Sequence, residues 1–79
     1  MKLEIYYFAT FRDWTGKESE TIDSDVTTAL ELYKELKVQY DFQYCSSLLK
    51  VAINDEFSDW QETLKEGDTV AFIPPVSGG

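Results

Sequence analysis

One stretch of this chain, Thr28 to Tyr40, has the spacing of a long amphipathic helix, and alternating apolar runs lie on both sides of it. Ala29, Leu32, Tyr33, Leu36 and Tyr40 recur at i, i+3, i+4, i+7 and i+11, while Glu31, Lys34, Glu35 and Lys37 fall on or near the opposite side. Thr28, followed three residues later by Glu31, has the form of a capping box and marks where the helix starts. A single helix in a chain of 79 residues can cover one face of one sheet. The remaining apolar sequence must therefore supply strands.

Lys2 to Ala9 alternates, with Leu3, Ile5 and Tyr7 directed to the core and Lys2, Glu4, Tyr6 and Phe8 on the other side. The polar stretch RDWTGKES, with Gly16 inside it, reads as a hairpin connection into a second strand near Glu18 to Ile22. Past the helix, Asp41 to Leu48 reads as a loop or a short irregular strand. Leu49, Val51 and Ile53 then alternate with Lys50 and Ala52, and Asn54, Asp55 and Glu56 supply a turn before a partner strand from Phe57 to Trp60. The run LKEGD turns the chain again, with Gly67 free to take a positive φ, and Thr69 to Ile73 forms the last strand. The expected fold is α+β: a mixed sheet over residues 1–73 with one main helix packed on one face, followed by a projecting tail over residues 74–79.

Composition narrows the function. Hydrophobic residues at 43% and aromatics at 15% imply a folded domain despite the net charge of -8. Fifteen acids against seven bases argue against a nucleic-acid binder, which neutralises phosphates with clustered Lys and Arg. The acidity fits a basic protein partner as well as it fits plain solubility. Cys45 is the only cysteine, so no intrachain disulfide is expected and a reducing compartment follows. With no CxxC partner and no histidine to activate it, Cys45 reads as a small half-buried residue. The opening MKLEIYYFAT interrupts its apolar run with Glu4 and is too short and mixed for a signal peptide or membrane span, so a cytoplasmic protein with no membrane partner is expected. Asp23 with Asp25, and Asp55 with Glu56, lie in turns and read as solvated acids. There is no GxxxxGK[ST] phosphate loop and no metal-ligand spacing, so no metal and no stably bound cofactor are expected.

The end of the sequence, FIPPVSGG, carries the most specific chemistry. A residue before proline is pushed to extended geometry, so Ile73 continues its strand outward, and Pro74 and Pro75 remove two donors that a sheet needs. Two prolines also favour a stiff polyproline II segment that projects Val76, Ser77, Gly78 and Gly79. Extended at about 3.3 Å per residue, six residues reach roughly 20 Å, enough to enter another protein's cleft. The two glycines fit a narrow channel and bring a terminal carboxylate to a reactive centre. A free carboxylate is a poor acyl donor, and nothing in this chain can activate it, so an external ATP-using enzyme is implied. On the strand faces away from the helix, Phe8 and Ile73 point outward and Phe57 can join them across the sheet, forming an apolar docking patch at the base of the tail.

The segments KLEIYYFATFRDWTG, LKVQY, LLKVAINDEF and LKEGDTVAFIPPVSGG together resemble the small, sulfur-carrier subunit of molybdopterin synthase, a member of the ubiquitin-like β-grasp group. The PPVSGG ending after a strand separates this family from the shorter sulfur carrier of the thiamine pathway. The resemblance implies that a partner enzyme adenylates Gly79 with ATP and that sulfur transfer then gives a thiocarboxylate. The tail would next enter the large synthase subunit and deliver sulfur to cyclic pyranopterin monophosphate. It also implies a heterotetramer of two small and two large subunits, with enzymatic activity only as the sulfur-donating subunit and no independent active site. Phe8, Phe57 and Ile73 match partner-contact positions of the family. The segment DFQYCSSL departs from the pattern in lacking a proline after the helix, and Ile73 stands where an aromatic is common. The alternative function is a ubiquitin-like modifier joined to target lysines through Gly79.

Overall fold

The computed structural model describes residues 1–75, and its strands form one five-stranded sheet. In chain order the elements are β1 (Lys2–Tyr7), α1 (Thr10–Thr15), β2 (Ser19–Asp23), α2 (Ala29–Tyr40), β3 (Lys50–Ile53), β4 (Glu56–Ser58) and β5 (Thr69–Ile73). Across the sheet they run β2-β1-β5-β3-β4. The central pair, β1 and β5, is parallel, and every other pairing is antiparallel. This is the mixed sheet of the ubiquitin-like β-grasp fold, as expected from the resemblance.

The alternation in sequence becomes a two-faced sheet. Leu3, Ile5 and Tyr7 of β1, Val51 and Ile53 of β3, and Val70 and Phe72 of β5 are buried with Ala29, Leu32, Tyr33 and Leu36 of α2. The capping box is present: the Glu31 N–H donates to Thr28 Oγ1 at 3.2 Å, and the Thr28 N–H donates to Glu31 Oε1 at 3.1 Å. Asp41 ends the helix in the left-handed region at φ 58. Gly67 takes the positive φ expected of it, 83°.

Three local expectations change, and one open alternative is decided. The connection between β1 and β2 contains the short helix α1, and Gly16, at φ 74, caps that helix by donating its N–H to the Arg12 carbonyl. The antiparallel β1–β2 pair survives; the helix exists because Phe11 gains a fully buried site, its ring 4.9 Å from that of Phe42. Of the two readings of residues 41–48, loop or short irregular strand, the loop holds: it carries Phe42 into the core and closes in one 3-10 turn, Ser46–Leu48. β4 stops at Ser58, because Trp60 leaves the sheet to stack on Phe72 at 6.0 Å. Cys45 is exposed, not half-buried, since Tyr44 takes the inward position against Phe11 and Trp14.

One polar cluster ties three elements together. The Tyr7 and Tyr40 hydroxyls both donate to Glu20 Oε2, at 2.5 and 2.6 Å, and Lys17 Nζ donates to Glu20 Oε1 at 3.0 Å. Burial alone would raise the Glu20 carboxyl, but the bonds from Tyr40, Tyr7 and Lys17 together outweigh it and hold the group below its ordinary value. A lowered carboxyl adds stability above its unfolded pKa and loses that contribution as pH falls through the folded value. Burial, then the bond to Glu20, pushes the Tyr7 phenol up, so its contribution is present below about pH 10 and is lost in alkali. Glu20→Gln is expected to cost about 2 kcal/mol at neutral pH, or roughly 10 °C in melting temperature. Thermal melts should also show a shallower loss of stability for the variant than for the wild type as pH falls below the ordinary glutamate range.

Candidate functional site

β5 lies between β1 and β3, so the segment leading to the tail leaves the middle of the sheet and not its edge. Pro74, half-buried, and Pro75, exposed, follow Ile73 directly. The expected tail residues Val76, Ser77, Gly78 and Gly79 lie outside the described residues.

On the sheet face away from α2, the register sets one row across four strands: Tyr6 pairs with Ala71, Ala71 with Ala52, and Ala52 with Phe57. Tyr6 is 37% exposed, Phe57 71%, and Phe8, one residue beyond β1, 47%. Ile73 is half-buried in the next row, opposite Lys50. The three residues expected to dock a partner are brought together: Phe8, Phe57 and Ile73 line one depression of about 210 Å³ floored by Ala52 and Ala71. Phe57 and Ile73 also border a groove of about 640 Å³ that continues past Leu48 and Trp60 to Pro74 and Pro75. Pro74 and Pro75 therefore sit at the edge of an apolar surface that no element of this chain covers among the described residues.

Local backbone chemistry positions this surface. Ala9 takes φ 49 and ψ -121, a conformation that costs a residue with a side chain about 1–3 kcal/mol. It turns the chain from β1 into α1, with the Arg12 N–H donating to its carbonyl at 3.0 Å. Phe8 is thereby left outside while Phe11, three residues on, is fully buried. At the opposite end, Asn54 and Asp55 form the turn between β3 and β4 with φ 53 and φ 70. The Asn54 side chain locks that turn by donating to Asp68 Oδ1 and accepting from the Thr69 N–H, both at 3.0 Å. Asp55 is left exposed at the rim of the depression.

The other acids have structural surroundings. Asp23 accepts from the Met1 amine at 3.0 Å, which lowers its carboxyl, and Asp25 is exposed. Among the described residues no group of His, Cys, Asp or Glu is arranged to hold a metal ion. No described helix is long and apolar enough to cross a membrane. Sequence reasoning missed Tyr6, Ala52, Ala71, Leu48 and Trp60 as parts of this surface. Tyr6 was the one with a legible signal, since it shares the outward side of β1 with Phe8.

A β-grasp domain with one bare apolar face and a proline-marked exit from its central strand has the shape of a carrier that docks on other proteins. Residues 5–79 match the ThiS family, and the chain belongs to that family. It is 33% identical, over 98% of its own length and 99% of the relative's, to the molybdopterin synthase sulfur carrier subunit of Haemophilus influenzae. A Pyrococcus furiosus protein assigned as subunit 1 of molybdopterin converting factor superposes with a TM-score of 0.79 at 30% identity, covering 95% of this chain and 98% of that one. A chain in the complex of subunits 1 and 2 of molybdopterin-converting factor from Helicobacter pylori is also similar, with a TM-score of 0.70 at 26% identity over 100% of both chains.

The burial contrast predicts how single truncations behave. Phe8→Ala should leave the melting temperature almost unchanged, within about 0.5 kcal/mol of stability, as surface substitutions usually do. Phe11→Ala should cost about 3–5 kcal/mol, measured by urea unfolding monitored by circular dichroism.

Proposed function

We propose that this chain is the sulfur-carrier subunit of a molybdopterin synthase. A partner enzyme joins the Gly79 carboxylate to the α-phosphorus of ATP, releasing pyrophosphate, and a sulfur nucleophile then displaces AMP to leave a thiocarboxylate. The thiocarboxylate in turn gives its sulfur to cyclic pyranopterin monophosphate. The observation that carries this reading is the exit of the chain through Pro74 and Pro75 from a central strand, beside a bare apolar face formed by Phe8, Phe57 and Ile73. The full-length similarity to sulfur carrier subunits supports it.

In this reading residues 74–79 are an extended tail, with Val76, Ser77, Gly78 and Gly79 threading a channel in the large synthase subunit. The complex of the Helicobacter pylori relative supports a large-subunit partner. The assembly is a heterotetramer of two small and two large subunits, and a separate ATP-using enzyme charges the tail. The chain contributes to catalysis as the sulfur donor and holds no independent active site or cofactor. Its working compartment is the cytoplasm.

Intact-mass measurement after incubation with the activating enzyme, ATP and a sulfur source should show a rise equal to the mass difference between sulfur and oxygen. The same treatment of a variant extended by one residue past Gly79 should show no rise, because the carboxylate is displaced by about 3.5 Å. No rise in the wild type, under conditions that convert a known carrier, would refute the reading. Isopeptide-linked conjugates through Gly79 in cell extracts would favour the modifier function instead.

A further inference from the structure

The bare face of the sheet has a hollow in its middle, and two small residues make it. Ala52 of β3 and Ala71 of β5 are cross-strand partners, flanked in the same row by Tyr6 and Phe57. The result is a trough with two connected ends. One end, of about 410 Å³, is bounded by Tyr6, Thr69 and Asp55, and the other, of about 210 Å³, by Phe57 and Ile73. Phe8, Asp55 and the two alanines are shared by both.

Strand preference does not favour alanine at these positions. Strands favour β-branched and aromatic residues, and alanine is depleted in them. The inward neighbours of these alanines are Val51, Ile53, Val70 and Phe72, which follow that preference. No element of this chain presses on the outer side among the described residues, so steric crowding does not require small side chains there. Valine at either position would fill the trough and suit the strand better. The space itself is the feature left to explain, and the strained Ala9 turn holds one of its walls, Phe8, in place.

We propose that the trough is a hole for one bulky apolar side chain of the large synthase subunit, with Ala52 and Ala71 as its specificity-determining floor. Resting on the carrier reading above, the inference adds the shape of the contact: a knob entering a hole, not two flat apolar patches. Asp55 stands at the rim shared by both ends, and the chain carries a net charge of -8, so the knob is flanked by a cationic residue of the partner. The trough is continuous with the surface of Phe8, Phe57 and Ile73 at the base of the tail. A knob seated there therefore fixes the distance from the docking face to whatever channel receives the tail.

The two geometries predict opposite signs. On a flat patch, two added methyl groups increase apolar contact and binding stays equal or tightens. On the floor of a filled hole they overpack, and binding weakens. Full-length wild type, Ala71→Val and Ala52→Val should be titrated calorimetrically against the purified large subunit, with melting temperatures measured in parallel. The expected result is unchanged or raised melting temperatures with affinity reduced about tenfold or more in both variants. Asp55→Asn should weaken binding less and flatten its dependence on salt.

If the wild type binds and both valine variants bind as tightly or more tightly, the hole is refuted while the carrier reading stands. If the wild type does not bind the large subunit, the carrier reading falls and the hole falls with it. Unfolding of both valine variants would show that the domain's own packing requires the alanines, which also refutes the proposal. So would a change confined to self-association of the free chain, since the occupant would then be a second copy.

Discussion

The parallel ladder between β1 and β5 is the interaction on which the rest of the structure depends. It pairs Glu4 with Thr69 and Tyr7 with Phe72, joining residues separated by nearly the whole sequence. Parallel strands cannot be joined by a tight turn, so everything between them must form a long crossover. That crossover contains α1, β2, α2, β3 and β4, and its long helix lies over the face bearing Ile5 and Val70. The same ladder places Phe8, just beyond β1, on the same depression as Ile73 at the end of β5. The core and the bare apolar face are two sides of one pairing.

With one long helix, the domain can close only one side of that sheet. The closed side is reinforced by aromatic rings set among its aliphatic side chains: Phe11, Tyr33, Phe42 and Phe72 pack edge to face, tilted or stacked at centroid distances from 4.9 to 6.2 Å. Rings bury large areas per residue, which suits a chain too short to assemble a deep core. Burial pushes the Tyr33 phenol up to about 12, and its hydroxyl is satisfied by the Tyr44 carbonyl at 2.7 Å. The Glu20 cluster does similar work at the rim, joining β1, β2 and the end of α2 through one carboxylate.

Features with a period were legible in the sequence. The alternation of Leu3, Ile5 and Tyr7, the stripe from Ala29 to Leu36 and the Thr28–Glu31 box all gave the correct element and the correct face. Features that rest on a single residue were not. Phe42 is a core ring with no periodic company, brought inward by the left-handed turn at Asp41. Gly16 permitted either a hairpin turn or a helix cap, and Phe11 with Trp14 at i+3 was the faint sign of the helix. On the site, the large outward residues announced themselves through alternation, whereas Ala52 and Ala71 did not. A hollow is a property of register between strands, and neither residue shows it alone.

The position of β5 has a mechanical consequence. Tension applied to the chain beyond Ile73 passes first to the strand that precedes it. Were that strand at an edge, a pull could peel one ladder open bond by bond. Here the load divides between two neighbours, one running with β5 and one against it, and each must slide lengthwise before the strand can yield. The domain can therefore be held by its end without coming undone.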